Sequence, residues 1–230
     1  MNYTLSLLSP EELASAAPTD TLAPFSFRII EAGDLAVTAH PRFAQLAGEV
    51  AAALASRTDF SAVCDRLDTQ LSTELLTMGY QIDRKSTLRG YILTDAKLSE
   101  TPLKTAFSSP VDAQTVDNYQ NLTTIPIKRK ILEGALAYGY AENRELLALA
   151  VTHSAVTGRE VEVTVETAPA HRRRGLARAC LFGLTRELQM RGVRVIYRCR
   201  EGNVASLATA RSLGFVTHGR FYHSIGRRIR

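Results

Sequence analysis

The chain has no tryptophan, and only three cysteines and three methionines in 230 residues. Cys64, Cys180 and Cys199 are an odd number with no C-x-x-C spacing. That excludes a disulfide framework and the usual zinc-ligand patterns. Two of the thiols fall in apolar-periodic positions, where buried free thiols are expected. A reducing, cytoplasmic setting fits this usage. No apolar run approaches the roughly 18 residues of a membrane span, so no membrane association is expected. The stretch 1–18 has no basic leader region, and Glu11 and Glu12 interrupt it early, so it does not read as a secretory signal. Internal repeats and low-complexity tracts are absent. His153, His171 and His223 are scattered and suggest no metal.

Acidic residues are scarce in one half only. Residues 126–230 hold 19 Lys and Arg against 8 Glu and no Asp, a net of +11, while residues 1–125 carry a net of −6. A basic half attracts anions, either a phosphorylated cofactor or nucleic acid. The length allows one large or two small domains and buries a core without covalent staples.

The most informative stretch is Val161 to Ala177, V-E-V-T-V-E-T-A-P-A-H-R-R-R-G-L-A. Val161, Val163 and Val165 alternate with Glu162, Thr164 and Glu166, the period of a strand with one buried face. Pro169 ends it. From Leu176 the period changes: Leu176, Cys180, Leu184 and Leu188 recur on one helical face. Strand, basic turn and helix follow one another. A helix start offers unpartnered N–H groups and the positive end of the dipole. Gly175 allows close backbone approach, and three arginines add charge. Such a turn suits a phosphate or pyrophosphate.

Earlier in the chain, Ser9-Pro10-Glu11-Glu12 reads as a capping box opening a short helix to about Ala17. Phe25–Ile30 predicts a strand. Pro41 opens a helix whose Phe43, Leu46, Ala47, Val50, Ala51 and Leu54 share a face. Residues 60–78 predict a second helix ended by Gly79, completing an αα-hairpin. Tyr80–Leu93 reads as a hairpin or single strand. Residues 99–124 lack periodicity and read as a linker or long surface loop. Gly134–Tyr140 and Leu146–Thr152 predict an antiparallel hairpin through Glu142-Asn143-Arg144. Val193, Val195, Tyr197 and Cys199 alternate as another strand, and Phe215–Ile225 is the last. Asn203 is a good helix cap and Gly214 a good helix stop.

Arg172-x-x-Gly175-x-Ala177 resembles the R/Q-x-x-G-x-G/A signature of the GCN5-related N-acetyltransferase (GNAT) family, which binds the pyrophosphate of acetyl-CoA. Asn203 to Phe215, N-V-A-S-L-A-T-A-R-S-L-G-F, is similar to the family's second signature, N-x-x-A/S followed by L-G-F. The resemblance covers about residues 125–225, and the chain looks most like a branch in which the catalytic domain follows a divergent N-terminal half. It implies an α/β (α+β) fold, with a mixed, mostly antiparallel central sheet flanked by helices. The expected organisation is a divergent region 1–124, a helical hairpin plus strands that would wall the acceptor site, and a catalytic domain 125–230.

The resemblance also implies acetyl transfer from acetyl-CoA, as co-substrate and without metal, to an amine. Family members part the central strand from its neighbour and pair the exposed edge with the pantetheine arm, which carries over to Val165 and Thr167. Arg172, Arg173, Arg174, Gly175, Leu176 and Ala177 would hold the pyrophosphate. Asn203 and Ser206 would lie beside the lower pantetheine and the sulfur; alternatively, Asn203 only caps a helix and Ser206 only permits close packing. A strand N–H near Val165 would meet the acetyl oxygen. A carboxylate must take the proton of the attacking amine; Glu162 is the first expectation and Glu166 the second, against an ordinary solvated strand face. Many members carry a tyrosine where this chain has Ala210, as acid for the leaving thiolate. Tyr197, Tyr222 and His218 are the substitutes to consider, and His171 falls where the family often has tyrosine.

The leading reading is an acetyl-CoA-dependent N-acetyltransferase acting on a primary amine of a small molecule, by direct attack in a ternary complex. The alternatives are acetylation of a macromolecule (a protein amine or an aminoacyl-tRNA, which makes nucleic acid the second partner class) and a non-catalytic acyl-CoA-binding module. Oligomeric state is open, with a homodimer compatible.

Overall fold

The computed structural model describes residues 3–7, 21–30, 34–56, 58–84, 87–94, 98, 108–112, 116, 127–143 and 145–229. The expected capping box at 9–12 with its short helix, and most of the stretch 99–124, lie outside the described residues. In chain order the strands and helices are β1 (Tyr3–Leu7), β2 (Thr21–Ile30), β3 (Leu35–Ala39), α1 (Ala44–Ala55), α2 (Phe60–Thr77), β4 (Tyr80–Ile82), β5 (Leu88–Thr94) and β6 (Ser109–Pro110). They continue with α3 (Ile127–Leu132), β7 (Ala137–Glu142), β8 (Glu145–Thr152), β9 (Glu160–Thr167), α4 (Leu176–Met190), β10 (Arg194–Arg200), α5 (Val204–Arg211) and β11 (Val216–Arg228).

Two compact units result, neither of them a single stretch of chain. One comprises residues 1–91, 200–202 and 218–230, the other residues 92–199 and 203–217. In the first, β1 runs parallel to β3, β3 antiparallel to β2, and β2 antiparallel to β11. Helices α1 and α2 cover this sheet because their apolar residues recur on one face: Ala47, Val50, Ala51 and Leu54 in α1, and Val63, Leu67, Leu71 and Leu75 in α2, are all buried. Asp59 caps α2 by accepting a hydrogen bond from Ala62 N at 2.9 Å. A turn of 3₁₀ helix over Pro41–Phe43 precedes α1, so the proline-opened helix begins tighter than expected. Strands β1 and β3 and helix α3 are not apparent from periodicity: the two strands are five residues long and α3 six, too short to establish a period.

The second unit holds the motif-bearing half. Its sheet order is β10-β9-β8-β7-β6. Along this order β10–β9 is parallel, and β9–β8, β8–β7 and β7–β6 are antiparallel. This is the expected mixed, mostly antiparallel sheet. The predicted hairpin is β7–β8, with Glu142 opposite Glu145 and Asn143 at φ 52 between them. Helix α4 packs on β7, β8 and β9, burying Leu176, Cys180, Leu184 and Leu188. Strand β8 is buried from Leu146 to Thr152, as a central strand covered on both faces must be.

Candidate active site

The site forms where one ladder stops. Pairing of β9 with β10 runs from Glu160↔Arg194 to Val163↔Tyr197. Strand β9 continues to Thr167, held on its other side by β8 through Ala148↔Thr167, Leu149↔Glu166 and Ala150↔Val165. Among the described residues, the last turn of β9 therefore lacks a partner on the β10 side. A strand edge of this kind accepts an extended ligand as if it were another strand.

After Thr167 the chain turns through Pro169–His171, a short 3₁₀ turn, into the arginines. Arg173 has φ 65 and Gly175 φ 78, both left-handed. Two left-handed residues two positions apart form a concave turn of backbone N–H groups. At Gly175 the φ selects glycine rather than crowding, because the space around an added Cβ is open. Gly175 is also the N-cap of α4, and no side chain caps that end; the first turn of α4 contains no acid. The orphan N–H groups and the positive dipole end thus stay available for an anion.

One cleft of about 590 Å³ joins these features. Val165, Glu166, Thr167, Arg172, Arg173, Gly175, Leu176 and Ala177 line it, together with Asn203 and Ser206 from the start of α5. All ten residues come from the second unit. Two of the sequence-selected residues are absent from the lining. Arg174 turns aside to Glu142 Oε2 at 3.0 Å and His171 Nδ1 at 2.9 Å. Glu162 pairs with Arg198 at 3.3 Å. Asn203 performs the capping role as well, accepting from Ser206 N at 3.1 Å.

Glu160, Glu162 and Glu166 lie on the same face of β9 by strand alternation. Glu160 is ion-paired with Arg194 and Glu162 with Arg198, both arginines of β10. Glu166 lies past the opening of the ladder, and its Oε2 is buried without a hydrogen-bond partner among the described residues. Thr167 Oγ1 and Arg178 Nε, also in the cleft, are likewise buried and unpartnered. Groups left unsatisfied at a cleft are suited to a ligand, since burial without a partner is costly.

The cleft contains residues that the motifs did not select: His171, Arg178, Tyr197, Ala205 and Thr209. Arg178 had a readable signal, because a cation in the first turn of a helix opposes the dipole and calls for an anion nearby. Tyr197 is buried, with its hydroxyl 2.7 Å from Ser206 Oγ and its ring 5.9 Å from that of Phe215. Burial raises its pKa above the ordinary tyrosine value, the Ser206 hydrogen bond offsetting part of this. Ala210 is fully buried and contributes no polar group. Tyr222, the second substitute considered for the missing tyrosine, donates to Asp68 Oδ1 at 2.5 Å.

Residues 131–223 match the family model described as GNAT acetyltransferase. A GNAT-family protein from Novosphingobium aromaticivorans superposes with TM-score 0.51 at 16% identity, covering 65% of this chain and 68% of that one. A GCN5-related N-acetyltransferase-like protein from Streptococcus suis gives TM-score 0.49 at 16% identity, over 70% and 67% of the two chains. The ribosomal-protein-S18-alanine N-acetyltransferase from Escherichia coli gives 0.39 at 21% identity, over 52% of this chain and 92% of that one. A comparison with curated proteins returned no match. Residues 131–223 are thus similar to the GNAT acetyltransferase family model, and the mixed, mostly antiparallel fold is shared with the Novosphingobium aromaticivorans protein.

Proposed function

We propose that the protein is an acetyl-CoA-dependent N-acetyltransferase whose acceptor is a primary amine of a small molecule. One observation carries this reading: the uncapped, left-handed start of α4 opens into the same cleft as the unpaired edge of β9 and Glu166, whose Oε2 has no partner among the described residues. The residues fit the donor. Backbone N–H groups from Arg173 to Ala177, with the side chains of Arg172, Arg173 and Arg178, suit its diphosphate. The edge at Val165–Thr167 suits the amide-bearing pantetheine arm, and Asn203 and Ser206 suit its lower end.

An alkyl amine is mostly ammonium at neutral pH and must lose a proton before it attacks. Glu166 is the group for that task. Its free oxygen accepts the proton directly or through a water, whereas the carboxylate of Glu162 is engaged by Arg198. The amine nitrogen then forms the C–N bond to the acetyl carbon and releases its second proton to solvent. The C–S bond breaks with its electron pair going to sulfur, and the thiolate takes a proton from solvent. Backbone N–H at the β9 edge polarises the acetyl carbonyl.

Titration calorimetry with acetyl-CoA and CoA, followed by thiol release across a panel of primary amines, tests the reading. Measurable heat with both ligands and amine-dependent release are expected. Absence of heat with either nucleotide would overturn the donor assignment; tight binding with no release for any amine would overturn the transferase assignment.

A further inference from the structure

The chain lacks a tyrosine at position 210, yet a departing thiolate gains from a hydrogen-bond donor. The cleft contains one hydroxyl pair, contributed by two different elements. Tyr197 comes from β10 at the last paired rung of the ladder, and Ser206 from the first turn of α5. Their oxygens are 2.7 Å apart, and both residues line the cleft that holds Glu166. We propose that the Tyr197–Ser206 pair is the donor that stabilises the departing sulfur as thiolate, Ser206 touching it and Tyr197 acting as the positioning residue behind. This rests on the acetyl-CoA reading above and adds to it a leaving-group site on a different element from the family's helical tyrosine.

The arrangement follows from the inventory of protons. The pair has two hydroxyl hydrogens and uses one between its own oxygens. Either oxygen can donate across the pair; with Tyr197 donating to Ser206, as it can once a sulfur anion draws the Ser206 hydrogen, that hydrogen faces the cleft, and a donor that itself accepts a hydrogen bond is polarised and strengthened. Burial keeps Tyr197 protonated by raising its pKa, so the pair holds charge on sulfur without itself ionising. The ring packing against Phe215 fixes the phenol from the other side. Glu166 is placed for the proton on nitrogen and the hydroxyl pair for the charge on sulfur, so the bond being made and the bond being broken are served by separate groups.

The bound thiol itself reports on this site without any acceptor. Full-length protein is titrated with pH in the presence of CoA, and thiolate absorbance is read against the same protein with desulfo-CoA, which cancels the protein's own thiols. The bound thiol is expected to ionise about one pH unit or more below free CoA. Ser206→Ala should remove that shift and Tyr197→Phe most of it, measured at ligand concentrations that saturate each variant with CoA or desulfo-CoA. An unshifted wild-type thiol, or shifts unchanged in both variants, overturns the inference alone. Weakened desulfo-CoA binding in both variants with the bound thiol still titrating as in wild type also overturns it, by showing the pair to be merely structural. If wild-type protein binds neither CoA nor desulfo-CoA, the donor assignment has failed, and this inference with it.

Discussion

Glu160, Glu162 and Glu166 project from one face of β9, and the neighbouring strand treats them differently. The first two meet arginines of β10 across an intact ladder, and the third stands past its end. Glu166→Gln should therefore lower kcat for thiol release by about 100-fold or more, with the calorimetric affinity for acetyl-CoA retained. Glu162→Gln should keep turnover near wild type and shift stability by less than ~1 kcal/mol, since it breaks one part-exposed ion pair. Equal kinetic losses in the two variants would sink the distinction. The alternation V-E-V-T-V-E places both glutamates on one face and cannot rank them. Their ranking depends on where β10 parts from β9, a property of two segments separated by a whole helix.

At the scale of elements, two devices set the geometry. Asn203 caps α5 while lining the cleft, so Asn203→Ala should cost roughly 1 kcal/mol of stability, read as a lowered denaturation midpoint. The same variant should weaken acetyl-CoA binding; a stability loss with binding unchanged would reduce Asn203 to a cap. In the other unit, Gly219 faces Ile30 across the β11–β2 ladder. A Cβ there would come within 2.2 Å of the Ile29 carbonyl oxygen, which as backbone has little room to yield. Gly219→Ala is expected to destabilise by about 2–3 kcal/mol; a midpoint within error of wild type would refute the contact. The longest helix of each unit was legible in the sequence because four-residue apolar spacing survives any context: the α2 and α4 faces are buried as predicted. The parallel β1–β3 pair was not, since five-residue strands carry too little period and their pairing depends on a partner 32 positions along the chain, Tyr3↔Leu35.

For the molecule as a whole, buried thiols set an alkaline limit. Burial pushes Cys64 and Cys180 up from 9.0 to about 12. A group whose folded pKa is raised contributes stability that is fully present below the unfolded value and is lost as pH rises through the folded one. The denaturation midpoint should thus hold to about pH 9 and fall progressively towards pH 12, and Cys180→Ala should flatten part of that fall. A midpoint constant up to pH 11 would contradict this burial. At neutral pH the three cysteines, all buried, should resist alkylation until denaturant is added. The charge asymmetry has its clearest structural expression at the start of α4, where Arg172, Arg173 and Arg178 converge on one cleft and Arg174 is drawn off by Glu142.

By itself the amino-acid order determined the local parts: a period-two strand, a basic turn needing one left-handed glycine, a helix with a four-residue stripe, and an asparagine cap. Each depends on neighbours within a few residues, and so does the likeness to the GNAT signatures. Only tertiary structure decided which groups those parts leave unpartnered. The ladder ends at Val163↔Tyr197, Glu166 Oε2 is left unpartnered among the described residues, Arg174 is diverted, and Tyr197 meets Ser206. These outcomes follow from contacts between segments distant in the chain, and local periodicity carries no information about where two strands cease to pair.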